Sequence, residues 1–334
     1  MRYVTFEAPG AGSPALGLVA GENVVDLGRR EAWRQGGQPS ARGFATMLEL
    51  LDAGPAAWEA AQTLAEALGA RPALQVHESQ GHPWWWPLSS VRLRAPVPRP
   101  RGVRDFYAFE QHVQTAYAIR GQAMPAEWYE LPVFYFSNAQ SIVGPAAAVA
   151  APAESQALDF ELEVAAVVGR PGRDLDPQEA ERHIFGFTVM NDWSARDLQR
   201  REMRVGLGPA KGKDFATSLG PWLVTSDELA PHRAGRPGVY DLEMRARING
   251  VERSQGNWKS LYHSFGAMLA RASADVDLVP GDVIGSGTVG SGSLLELTAG
   301  QGPWLQPGDV VELEIEALGV LANTVGPHPH PLSR

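Results

Sequence analysis

Residues 158–168 read Leu158-Asp159-Phe160-Glu161-Leu162-Glu163-Val164-Ala165-Ala166-Val167-Val168. So apolar a run predicts a strand buried inside a sheet. Side chains two apart on a strand share a face, which puts the carboxylates of Glu161 and Glu163 about 6–7 Å apart on one side. Two bare carboxylates on a buried face repel each other and are expensive to desolvate. A fold that buries this run must supply positive charge beside it, and a divalent cation is the most compact source. The competing reading is an exposed edge strand with solvated glutamates.

Two further acids favour the cation. Asp192 ends the strand-like run 185–191, at the mouth of what reads as a second buried strand; its alternative role is to cap the helix that follows. Asp105 follows a proline-punctuated passage and adds a fourth carboxylate. The chain has no cysteine, which rules out disulfides, thiolate catalysis and cysteine-bound zinc. It also lacks a paired-histidine spacing such as H-x-x-x-H. An all-oxygen ligand set suits a hard ion, Mg²⁺, Ca²⁺ or Mn²⁺. His112, seven residues after Asp105, could act as general base on water or be a structural histidine. Lys213, in Lys211-Gly212-Lys213-Asp214-Phe215-Ala216-Thr217, could balance the carboxylates, hold an oxyanion, or lie in a solvated loop.

The 334 residues suffice for two domains. A formal net charge of −9 argues against binding nucleic acid through its phosphates, though not against a locally positive pocket. No run of ~18 apolar residues predicts a membrane span. The opening Met1-Arg2-Tyr3-Val4-Thr5-Phe6-Glu7 lacks the apolar core of a signal peptide, so a cytoplasmic location is expected. Residues 1–95 read as a small N-terminal unit and 96–334 as the main one, with Pro96, Pro98 and Pro100 between them. The first unit opens with a hairpin over 16–19 and 23–27 and continues with two short helices over 44–68, broken at Asp52-Ala53-Gly54-Pro55. Trp84-Trp85-Trp86 reads as an apolar strip packed between the two units, or as a ligand contact. In the second unit, 241–248 alternates as a strand before an Asn249-Gly250 hairpin turn. Helices are expected near 110–120, 177–182 and 262–272. The fold class is α+β and rich in strands.

Gly285-Ser286-Gly287-Thr288-Val289-Gly290 matches G-x-G-x-x-G, but a dinucleotide fingerprint must open a helix inside a βαβ unit. Here residues 293–298 read as a strand, so the match is set aside. The G-x-S-x-G nucleophile elbow is absent.

Asn191-Asp192-Trp193-Ser194-Ala195-Arg196-Asp197-Leu198-Gln199 closely resembles a signature of the fumarylacetoacetate hydrolase family. So do Asp159-Phe160-Glu161-Leu162-Glu163, Gly212-Lys213-Asp214-Phe215, and Gly287-Thr288-Val289 followed by Leu295-Glu296-Leu297. Asp105-Phe106-Tyr107-Ala108-Phe109-Glu110-Gln111-His112 resembles the hydrolase proper more than the small hydratase and decarboxylase members. The resemblance implies a mixed β-roll catalytic domain behind a small N-terminal β-containing domain. It implies a divalent-cation site of Asp105, Glu161, Glu163 and Asp192, with Lys213 and Thr217 near a second, Mg²⁺-type position. His112 would be the base, oriented by Glu296, with Lys213 and Arg196 in the catalytic set. Tyr107, Arg120, Tyr135, Gln199 and Thr288 would contact substrate, although Arg120 lies one residue short of the family spacing. Met203 stands where the hydrolase has a substrate-binding tyrosine. The implied reaction is hydrolysis of a carbon–carbon bond in a small anionic β-diketo acid, such as fumarylacetoacetate or an acylpyruvate, by a homodimer. Two alternatives stay open: decarboxylation, hydration or isomerisation of a 2-oxo acid on the same platform, and a metal-binding scaffold without turnover.

Overall fold

In the computed structural model, residues 1–29, 43–69 and 84–327 are described. The N-terminal hairpin forms as Ala15–Ala20 against Asn23–Asp26. Gly54, at φ 72°, ends the helix Met47–Ala53, and Pro55 opens the helix Pro55–Gly69. This is the glycine-stop, proline-start arrangement that the sequence suggests. Among the described residues no helix is long and apolar enough to cross a membrane.

Twelve strands form the larger sheet. From one edge its main path runs Trp85–Pro87, Asn23–Asp26, Ala15–Ala20, Arg2–Glu7, Thr217–Thr225, Ile184–Asp192, Leu162–Val168, Val283–Gly285, Val103–Phe106 and Phe134–Phe136. Arg2–Glu7 pairs antiparallel with Thr217–Thr225, so hydrogen bonds carry the sheet from the N-terminal strands into the rest of the chain. Trp86 packs tilted on Phe6, in a cluster that also takes in Trp222 of the Thr217–Thr225 strand.

A five-stranded sheet is led by Val251–Asn257 and Glu243–Ile248, joined by Asn249 and Gly250 at φ 53° and 74°. Two consecutive positive φ values are what the tight hairpin turn requires. Alternate residues Met244, Ala246, Leu313 and Ile315 of this sheet are buried in one cluster with Val164, Ala166, Phe187 and Val189 of the large sheet. The opposite side chains of the large sheet, among them Ala165, Val167 and Met190, pack with Leu50 and Leu51 of the N-terminal helix. Both faces of the central strands are therefore covered, which explains their unbroken hydrophobicity.

Three expectations change. The run 158–168 is not one strand. Leu158–Asp159 pairs with Ser194–Ala195 in a sheet of its own, and Leu162–Val168 joins the large sheet. The break at Phe160 and Glu161 is fixed from outside the ladder: Asp159 Oδ1 accepts from Phe160 N, and Asn191 Oδ1 from Glu161 N. Residues 293–298 are not a strand. Leu294–Leu297 is a turn of helix whose N-cap Ser293 accepts through its hydroxyl from Glu296 N. The S-x-x-E of a capping box was the signal for it. Finally, the helix expected over 177–182 is a short 3₁₀ turn, Ala180–His183.

Candidate active site

Six neighbouring strands each bring one residue to the same place. In sheet order these are Thr217, Asp192, Glu163, Gly285, Asp105 and Tyr135. Asp105 sits opposite Gly285 on one side and Tyr135 on the other, and Asp192 sits opposite Thr217. A Cβ on Gly285 would lie 2.3 Å from Asp105 Oδ1. Glycine there is what lets the Asp105 carboxylate reach across toward Glu163 and Asp192. A Cβ on Gly287, at φ 77°, would meet Phe106 O at 2.5 Å, so the set-aside G-x-G makes room for the Asp105–Tyr107 backbone.

Asp105, Glu163 and Asp192 each place a carboxylate oxygen within 4.8 Å of the others, and all three are buried. Burial, and then the neighbouring carboxylates, push Asp105 and Glu163 well above the ordinary carboxylate range. Burial also raises Asp192, against the pull of Lys213. Glu163 Oε2 and Asp192 Oδ1 are buried with no hydrogen-bond partner. A buried lone pair without a partner calls for an explanation, and a bound ion is one. Counted with Asp159 and Glu161, five buried acids face the two buried cations Lys213 and Arg196. The excess of negative charge, the orphaned oxygens and the hard donor set all fit a divalent ion.

Glu161 lies outside that triad. It takes Lys213 Nζ at 2.5 Å and Arg196 Nη2 at 2.8 Å. Burial opposes its charge, but these two cations outweigh it and hold Glu161 well below the usual range. Lys213 Nζ also reaches Asp192 Oδ2 at 2.5 Å. Burial is again outweighed, here by Asp192 and Glu161, so the ammonium stays protonated. In its protonated form the amine has no lone pair, and the Lys213 side chain balances carboxylates. Two of its three donors are taken by the carboxylates of Glu161 and Asp192. Thr217 is buried, with Oγ1 3.4 Å from Ser137 Oγ.

His112 lies on the helix Glu110–Ile119, whose buried side also carries Val113 and Ala116. Its Nδ1 is 2.7 Å from Glu296 Oε2, with both side chains nearly inaccessible. The contact is close but off the line of an ideal hydrogen bond. Glu296 is itself fixed, accepting from Ser291 N at 2.9 Å and Ser293 Oγ at 3.0 Å.

The residues expected to bind substrate are placed unevenly. Tyr135 Oη donates to Asp192 Oδ2 at 2.7 Å, and burial, then Asp192, raises it well above the ordinary phenol range. Tyr107 packs edge-on to His112, and burial pushes it up to about 12. Thr288 Oγ1 is 3.3 Å from Glu163 Oε1. Gln199 accepts from Arg196 Nη1 at 3.1 Å. Arg120 is exposed at the end of the His112 helix, lying over the Tyr117 ring, yet close enough to act on the Tyr107 hydroxyl. Met203 is 41 % exposed. A cavity of about 240 Å³ opens beside Tyr135 and Lys213, between Phe136 and Pro209.

A buried acidic triad drawn from neighbouring strands of one sheet, with a buried histidine–glutamate pair whose histidine acts electrostatically on Glu161, defines an enzyme site built to hold a divalent metal. Residues 101–326 match the family model of the fumarylacetoacetate (FAA) hydrolase C-terminal domain, and the chain belongs to that family. It is 33 % identical to a fumarylacetoacetase from Oryza sativa subsp. japonica, over 76 % of this chain and 70 % of that protein. It is 34 % identical to the human mitochondrial oxaloacetate tautomerase FAHD2A, over 97 % of this chain and 91 % of the relative. Among solved structures it resembles the fumarylacetoacetate hydrolase of Exiguobacterium antarcticum, with a TM-score of 0.69 and 27 % identity over 98 % of this chain and 99 % of that one. Family members thus include both hydrolases and tautomerases.

Proposed function

We infer that the protein hydrolyses a carbon–carbon bond in a small β-diketo acid, such as fumarylacetoacetate (to fumarate and acetoacetate) or an acylpyruvate. The buried His112–Glu296 pair, whose histidine acts electrostatically on Glu161, carries this reading. Asp105, Glu163 and Asp192 would hold a divalent cation, Mg²⁺, Ca²⁺ or Mn²⁺, which when bound supplies Lewis acidity toward a diketone. Glu296 holds His112 by Nδ1, leaving Nε2 to take a proton from water. The hydroxide adds to a substrate carbonyl. The third proton of Lys213 and the amide of Gln199 are the donors for the negative oxygen that develops. The carbon–carbon bond then breaks, leaving one carboxylic acid. The proton on His112 returns to the departing carbon, which leaves as the methyl or methylene of a keto acid. Tyr107, Tyr135 and Thr288 line the approach, and Arg120 is the cation available for a distal carboxylate.

His112→Ala should lower kcat about 10²–10⁴-fold while Mn²⁺ binding, followed by calorimetry, stays unchanged. Turnover at the wild-type rate would remove the reading. A second reading, keto–enol tautomerisation of a 2-oxo acid, is favoured by the likeness to the human tautomerase across nearly the whole chain. It needs proton transfer at carbon but no attack by water, so no bond is cleaved. Product identification separates the two.

A further inference from the structure

Asp159 touches neither the acidic triad nor His112, yet it is completely buried and all its acceptor capacity is used. Oδ1 accepts from Phe160 N and Leu294 N, each at 2.8 Å. Oδ2 accepts from Leu295 N at 2.9 Å and Arg196 Nε at 2.8 Å. Leu294 and Leu295 begin the one turn of helix that carries Glu296. Phe160 and Arg196 flank Glu161, the residue that fixes Lys213. One carboxylate therefore joins the frame of the histidine–glutamate pair to the frame of the metal-side cations.

We propose that Asp159 is the positioning residue of the His112–Glu296 pair: it anchors the Leu294–Leu297 turn and so sets where Glu296 meets His112. The turn needs such an anchor. Four residues are too few to be helical alone, and on its far side the chain enters Thr298–Gly302, where Ala299 and Gly300 both have positive φ. Glu296 must also be held to a fraction of an ångström, because the orientation of an imidazole follows the carboxylate behind it. Asp159→Asn keeps the size of the side chain but turns one oxygen into a donor. That donor faces either two backbone N–H groups or the Arg196 Nε–H, and no rotation of the amide avoids both.

The inference rests on the reading of His112 and Glu296 as the working pair, and a double-mutant cycle tests the two separately. Asp159→Asn, Glu296→Gln and the double variant are assayed, Mn²⁺-loaded, on a β-diketo acid that the wild type turns over. If Asp159 acts through Glu296, Asp159→Asn lowers kcat about 10–100-fold in the wild type, but less than about 3-fold once Glu296 is glutamine. Mn²⁺ affinity, read by calorimetry, changes far less than kcat. An Asp159→Asn effect of the same size in both backgrounds, or none at all, overturns the proposal while the pair stands. Wild-type rates in Glu296→Gln overturn the pair and the proposal together. Should Asp159→Asn fail to fold, Asp159→Ser, which leaves room for water, enters the same cycle with the same criteria.

Discussion

The ammonium of Lys213 is buried and touches two of the site's carboxylates, Glu161 and the metal-side Asp192. Lys213→Met keeps the stem and removes the charge. Glu161 then retains only Arg196, and Asp192 keeps only Tyr135. Breaking a buried ion pair from one side costs about 3–5 kcal/mol. Denaturant unfolding of the metal-free variant should show that loss, and saturating Mn²⁺ should narrow it. His263 makes a different prediction. It is buried between Trp128 and Tyr262, with Nε2 2.7 Å from Trp128 O, and burial lowers its pKa. The unfolded chain therefore binds a proton there more readily than the folded one. Its contribution to stability is present above the ordinary histidine value of about 6.5 and is lost as pH falls below it. Denaturation midpoints across that range should fall less steeply for His263→Phe than for the wild type. The sequence announced the acids through their apolar surroundings. It could not announce that Glu161 turns to Lys213 while Glu163 joins the triad, because that depends on a kink fixed by Asn191, thirty residues away.

The strand Val283–Gly285 adds no ligand and still determines the site. It lies between the strands of Asp105 and Glu163, and its last residue leaves the space that Asp105 fills. In Gly285→Ala the new Cβ would overlap both Asp105 Oδ1 and Met190 Cε. Mn²⁺ affinity by calorimetry should fall about 10–100-fold, with secondary structure by circular dichroism unchanged. At this scale, periodicity and turn chemistry were good guides. The hairpin at Asn249-Gly250, the helix stop at Gly54-Pro55 and the helix Glu110–Ile119 all stand where local sequence puts them. Local sequence misleads where a distant group finishes the element. The Leu294–Leu297 turn owes its first N–H partners to Asp159, 135 residues away, so its leucines alone suggested a strand. Asp159 was visible as part of a motif, but nothing in the run 158–168 separates its task from that of the glutamates.

Across the whole molecule, the large sheet gathers acids from strands far apart in sequence and buries more negative charge than Lys213 and Arg196 balance. Metal binding should therefore be linked to stability and to pH. At about a hundred times its dissociation constant a divalent ion adds about 2.7 kcal/mol, seen as a higher melting temperature than in chelator-treated protein. Because burial raises Asp105 and Glu163, binding must displace protons, so affinity should rise with pH. Calorimetry in buffers of different ionisation enthalpy would count those protons. The family, the strand-rich α+β fold and the acids were legible in the sequence. The choice between hydrolysis and tautomerisation was not, since relatives named for each activity match the chain at similar identity. Product analysis decides between cleavage and isomerisation: metal-loaded and chelator-stripped protein are given fumarylacetoacetate and simple acylpyruvates, and every product is identified. One carboxylic acid and one keto acid should form in equal amounts, and only with metal present. A rate indifferent to metal, or a substrate isomerised without cleavage, would rule out metal-dependent hydrolysis.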